Sequence, residues 1–279
     1  MKLNLAPILG LCVAACLLAS CSPNKSKKGE AINRPPIAVD HSLTVEAYVQ
    51  LGMPSPDKVW TPQDFLQAGG VLRNISQKNP EELPRFGSKS SGRLFDRICA
   101  RENLAGILDK NSPLNVRISL VAKYLEGAGL MLKAYVEPAI RDTVLDVEMV
   151  EIMGLTLKGE LTAIDLGNRF LASIPKDDPK LAARKAGLSQ MAEGVATSFE
   201  GGIISLSETK TYRNAARLKL CGYLQETLPS AIPELPDSAK NRLLRRIKEA
   251  QKSESNDEIK GAIARLGDAV SAASSGAPR

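Results

Sequence analysis

A lone histidine, His41, sets the first limit on the chemistry this chain can perform. One imidazole excludes motifs built on two histidines and disfavours a multi-histidine metal site. It sits before the first expected helix, where a solvated loop residue is the plain reading. The densest acidic group is Asp142, Asp146, Glu148 and Glu151. On a helix Asp142 and Asp146 lie one turn apart, as nearly do Glu148 and Glu151, but the two pairs point in different directions. Such a group could hold one divalent ion or supply the two carboxylates of glycosidic cleavage. The competing reading is a solvated charged face.

Gly87-Ser-Lys-Ser-Ser-Gly92-Arg93-Leu94 nearly matches the phosphate-binding pattern G-x₄-G-K-[ST]. That loop needs a lysine for the outer phosphates and a hydroxyl for magnesium. Arg93 and Leu94 stand at those two positions, and Pro80 and Pro84 remove the strand that should precede it. A reduced version survives: a helix start bearing Lys89, Ser90, Ser91 and Arg93 is a possible anion site. The bland alternative is N-capping by Ser90 or Ser91. Ser207-Glu-Thr-Lys210 matches the S-x-x-K of penicillin-binding enzymes without its usual partner motifs, and Ser22-Pro-Asn-Lys25 matches it only in a linker. Ser207 reads as a helix cap. No G-x-S-x-G or C-x-x-C occurs. The sequence therefore implies no catalytic set, no metal and no cofactor.

Five cysteines remain to be placed. Cys12 and Cys16 fall in an uncharged run, Leu5 to Leu18, that follows Lys2. Small residues Ala19 and Ser20 then precede Cys21. A charged start, a short apolar stretch and a small-residue site describe an export signal. The apolar stretch is shorter than the roughly 20 residues that span a bilayer. Leu18-Ala19-Ser20-Cys21 resembles the lipobox of bacterial lipoproteins, and Val13-Ala14-Ala15-Cys16 fits the same pattern with a shorter apolar run. The resemblance covers residues 1–21 alone. It implies cleavage before Cys21, a diacylglyceryl group on that sulfur, usually acylation (palmitate) of the new amine, and residence in the cell envelope. Ser22 in place of Asp implies, by the same resemblance, the periplasmic face of an outer membrane. Two or three acyl chains anchor far better than one.

Residues 22–38 carry Lys25, Lys27, Lys28 and Arg34 against Glu30, with Pro23, Pro35 and Pro36. This stretch buries too little to order itself and reads as a tether; its cations suit anionic head groups. Loss of Lys2 with the leader takes one unit from the formal +6, and the remaining charges interleave. A nucleic-acid binder would concentrate them, so nucleic acid is excluded as a partner. Cys99 and Cys221 are left as a possible disulfide in an oxidising envelope, or as two buried thiols.

Helical signals follow one another from residue 41 onward. Expected helices are Leu43–Leu51 capped by Ser42, a segment from Pro62 to about Ser76, one carrying Leu94, Ile98 and Cys99, and one from Leu114 to about Tyr135, ended by Pro138. Thr61, Pro62 and Asp64 form a capping box, with Trp60 and Phe65 as a hydrophobic staple. Thr143–Met153 fits helix or strand, and helix is favoured by its neighbours. Further helices are expected at Glu160–Ser173, Pro179–Glu200 (stopped by Gly201-Gly202), Ser207–Thr227, Ser238–Lys252 and Asn256–Ala273. Ala183, Ala186, Gly187, Gly194 and Ala196 suggest close packing of a central helix, or a narrow apolar groove. Leu83-Pro84 and Leu235-Pro236 weakly echo one another.

The expected fold class is all-α, a multi-helix bundle or irregular stacked helical hairpins after a disordered tether. The expected layout is a signal peptide at 1–20, lipidated Cys21 and tether at 21–40, one helical domain at 41–273 and a frayed tail at 274–279. The expected role is a non-enzymatic protein-interaction or scaffolding module at a membrane, with an envelope protein as partner. The alternatives are a carrier of lipid or another hydrophobic ligand, and a cell-wall hydrolase using the acidic group.

Overall fold

The computed structural model describes residues 40–275, apart from 105, 106, 108, 110 and 142–144. Cys21, the tether, Asp142 and residues 276–279 lie outside the described residues. The fold is all-α: nine α-helices and short 3₁₀ turns, with no strand among the described residues. They are α1 (Val45–Gln50), α2 (Pro62–Lys78), α3 (Gly92–Ile98), α4 (Leu114–Arg141), α5 (Asp146–Ala172), α6 (Leu181–Ser205), α7 (Asn214–Ala231), α8 (Asp237–Ser253) and α9 (Asp257–Ser274). Where the sequence suggested one span, the chain divides into two compact units, Ala31–Gly159 and Glu160–Arg279, with the boundary inside α5. No helix among the described residues is long and apolar enough to cross a membrane.

In the first unit α2 packs along α4. The start of α2 is as expected. The Thr61 hydroxyl accepts from Asp64 N–H at 3.2 Å, and Thr61 N–H donates back to Asp64 Oδ2 at 3.0 Å. Trp60 meets Phe65 edge-on with centroids 6.3 Å apart, which is the staple. Phe65 then stacks on Tyr124 at 4.4 Å, so the cap is continuous with the core. Ala68, Leu72 and Ile75 continue the buried stripe of α2. The two backbones meet at glycine: a Cβ on Gly69 would lie 2.6 Å from the Gly127 carbonyl oxygen, and one on Gly127 would lie 2.8 Å from Phe65 and Leu66 backbone atoms.

Pro138 does not end α4, which runs on to Arg141. Proline removes the N–H that would bond the carbonyl four residues back. That carbonyl, Ala134, accepts instead from the Ser76 hydroxyl of α2 at 2.6 Å. The orphan acceptor is satisfied by the neighbouring helix, and the helix survives.

Other boundaries differ from the sequence reading for similar reasons. Thr44, not Ser42, caps α1. The ambiguous segment at 143–153 and the helix expected at 160 are one helix, α5. Residues 148–157 are buried on every face, so no apolar stripe stands out against a polar side. Gly201-Gly202 does not stop α6, because Gly202 faces Leu224 of α7 within the packed interior. Ser207 caps nothing; the chain turns through Tyr212 before α7 begins.

The second unit packs α7 on α9, and α8 on both α6 and α9. Leu220, Leu224, Leu228, Leu243, Ile247, Ile259, Ile263 and Leu266 supply its aliphatic core. Each such burial contributes about 1.5–3 kcal/mol. Gln225 Nε2 donates to the Ala262 carbonyl at 2.7 Å and locks α7 to α9. The expected central role for the small-residue helix holds only in its second half. Ala192, Ala196 and Phe199 are buried, whereas Ala183 and Ala186 are exposed and a Cβ on Gly187 would meet nothing within 4 Å.

Candidate functional site

At the Ser-rich loop the structure places a carboxylate of the chain itself on two serines, Ser88 and Ser90. The carboxylate of Asp40 is seated on Ser42, Ser88 and Ser90. Ser90 Oγ donates to Asp40 Oδ2 at 2.8 Å and Ser42 N–H donates to Oδ1 at 3.0 Å; the hydroxyls of Ser42 and Ser88 donate as well. Desolvation pushes this carboxyl up, but the hydroxyl donors of Ser42, Ser88 and Ser90 outweigh it and hold it far below the usual carboxylate range. Asp40 is the last residue of the stretch assigned to the tether, and the cluster binds it to the loop at residues 88–90.

The four residues first singled out here divide. Ser90 joins the Asp40 cluster. Ser91 accepts from Arg85 N–H at 3.0 Å and donates to Ser42 Oγ at 2.8 Å; it makes no side-chain cap on α3. Arg93 pairs with Asp57. Lys89 takes no part in the cluster. Asp40, Ser42 and Ser88 were missed because their serines assemble only when a loop 46–50 residues away folds back onto them.

Next along α3 is an open cleft of about 360 Å³ lined by Pro56, Asp57, Arg93, Asp96 and Arg97. Arg97 Nε donates to the Pro56 carbonyl at 3.0 Å. Its Nη1 is buried with no acceptor among the described residues.

Three members of the acidic group are buried, not solvated, and the fourth, Asp142, lies outside the described residues. Asp146 is 0 % exposed, Glu148 5 % and Glu151 6 %. Glu148 accepts from Phe86 N–H at 2.7 Å. Burial raises its carboxyl above the ordinary value, opposed by the Phe86 N–H and by Arg85. Beside it the Tyr135 hydroxyl donates to the Pro84 carbonyl at 2.8 Å, and the Tyr48 hydroxyl to that of Glu82. Asp146 and Glu148, in the first turn of α5, also suit the positive end of that helix. Among the described residues no group of three or more His, Cys, Asp or Glu side chains could hold a metal ion.

The second unit holds a buried acid of its own. Glu160 Oε1 accepts from the Ser198 hydroxyl at 2.7 Å, while Oε2 is buried without a partner among the described residues. Burial pushes its pKa up to about 8, opposed by Ser198. Nearby in the chain order, Arg217 is 1 % exposed. Its Nε donates to the Leu206 carbonyl at 2.6 Å, Nη1 to Asn214 Oδ1 at 3.2 Å and Nη2 to Glu254. Glu254 Oε1 accepts from Asn256 N–H at 2.7 Å, so both ions are hydrogen-bonded on more than one side.

Cys99 and Cys221 do not form the possible disulfide: both are thiols, and they belong to different units. Cys221 is 1 % exposed, and burial pushes its thiol up to about 11, so it is held as a small apolar side chain. His41 is exposed. No family model matches the chain, and neither a curated protein nor a solved structure does.

Proposed function

We propose that this chain is a lipid-anchored cell-envelope protein whose helical body works as a non-enzymatic interaction or scaffolding module, with an envelope protein as partner. The observation that carries the reading is the Asp40 cluster. It holds Asp40, the last residue of the stretch read as the tether, through three serines, and so ties that stretch to the folded body. A scaffold needs that: an anchor that does not let the body unravel from its root.

The buried polar groups support the same reading. Glu148, Arg217 and Glu254 spend their hydrogen bonds on backbone and on each other, which rigidifies the body. The hydrolase alternative loses its warrant with the burial of Asp146, Glu148 and Glu151. The carrier alternative draws less support from α6, because Ala183 and Ala186 are exposed there instead of packed against a neighbour. The first unit also presents Leu51 at 53 % and Phe86 at 50 % exposure, apolar side chains suited to a protein contact.

Two measurements test the proposal. Labelled palmitate is expected to enter the full chain and not the Cys21→Ser variant, which should leave the membrane fraction. A photo-crosslinking residue at Leu51 or Phe86 is expected to trap one discrete envelope protein, and one at Ala182 is not. Unlabelled parent protein defeats the anchoring; identical crosslinks at all three positions, or none, defeat the interaction role.

A further inference from the structure

The cleft on α3 contains charges of both signs that the fold leaves unspent. Arg93 and Asp57 neutralise each other at its rim, and the Ser55 hydroxyl donates to Asp57 at 3.4 Å. Arg97 and Asp96 are different. Arg97 Nε is used on Pro56, which fixes the plane of the guanidinium, but Nη1 has no acceptor among the described residues. Asp96 is exposed in the same wall and meets no cation among the described residues.

We infer that this cleft binds a small zwitterion of the α-amino-acid type, its carboxylate accepting from the Arg97 guanidinium and its ammonium donating to Asp96. A guanidinium fork suits a carboxylate geometrically. A simple anion would have to sit among two aspartates, and a simple cation among two arginines. A ligand carrying both charges offsets each. The cleft volume of about 360 Å³ is at the low end of the roughly 300–1,000 Å³ typical of small-molecule sites, room for an amino-acid head whose remainder can extend from the open side. The inference goes beyond the anchoring proposal and stands without it, since every residue involved belongs to the folded first unit.

The test is isothermal titration of the full-length protein in detergent with L-alanine, γ-L-glutamyl-L-alanine, propionate and ethylamine. The first two carry the zwitterionic head, free or on a peptide; the others carry one charge each. Saturable binding of at least one zwitterion is expected, with propionate weaker by about tenfold or more and ethylamine inert. Binding of the γ-glutamyl peptide alone would identify a head borne on a larger molecule. Asp96→Asn is expected to weaken the zwitterion by about tenfold or more, and Lys185→Gln in the second unit to change nothing. Asp96 is on the surface, so its variant decides the matter even if Arg97→Gln does not fold. Absence of saturable binding by either zwitterion overturns the inference. So does propionate binding as well as alanine, or full affinity in Asp96→Asn.

Discussion

In the first unit helices meet through aromatic rings and tyrosine hydroxyls; in the second they meet through aliphatic side chains and arginine. Trp60, Phe65 and Tyr124 stack in sequence across α2 and α4, and Phe86, Phe95 and Tyr135 form a second edge-to-face chain. The second unit has instead the buried Arg217–Glu254 pair and a surface ladder in which Arg242 and Arg246 of α8 reach Glu193 and Glu200 of α6. Ring packing depends little on ionic conditions, whereas charge pairs respond to pH and, where exposed, to salt. The two units should therefore fail under different stresses.

The sharpest way to break this contrast is at Glu254. Glu254→Ala strands the Arg217 guanidinium in a dry interior, and removing one partner of a buried pair typically costs about 3–5 kcal/mol. Urea unfolding followed by the lone Trp60, which belongs to the first unit, should change less than the helical signal of the whole chain. Equal shifts by both probes would show that the units unfold as one. Gly127→Ala comes next. Its methyl group would meet Phe65 and Leu66 backbone at 2.8 Å, and overpacking of this kind costs about 1–3 kcal/mol; here the Trp60 signal should move first.

Glu160 adds a pH-dependent difference. Its folded pKa of about 8 lies above the ordinary 4.5, so the native state binds the proton more tightly than the unfolded chain. Its contribution is fully favourable below pH 4.5, falls as pH rises, and levels off above about pH 8. Glu160→Gln is expected to flatten the stability of the second unit between those limits, measured by thermal melts at a series of pH values; an unchanged slope would remove Glu160 as the cause. The smallest effect belongs to the α6–α8 ladder. Its arginines are 34 % and 39 % exposed, and pairs of that kind contribute about 0–1 kcal/mol each. Molar salt should lower the second unit's midpoint slightly, and Arg242→Gln should remove part of that salt response.

What could be read beforehand follows from how local each determinant is. The Thr61 cap, its Asp64 return bond and the Trp60–Phe65 staple involve neighbours within a few residues, so they were legible. The helical class was legible from spacing alone. The continuity of α4 through Pro138 was not, because it depends on Ser76, a residue of another helix. The burial of Asp146, Glu148 and Glu151 was hidden for the same reason: a charged cluster in a helix looks solvated until the elements that cover it are known. At the Ser-rich loop the chemistry was legible and the occupant was not. Ser90 was read as a helix cap or as one member of a possible anion site with Lys89, Ser91 and Arg93; that it would meet Asp40 required the fold.

The seat of Asp40 also sets a limit on reach. Eighteen residues, Ser22 to Val39, separate it from Cys21, and a peptide extends by at most about 3.3–3.6 Å per residue. With acyl chains on Cys21, the body could stand off the lipid by no more than about 65 Å. The attachment point Asp40 must then lie inside a hemisphere of that radius, and lengthening or shortening the leash would redraw the hemisphere without altering a single helix.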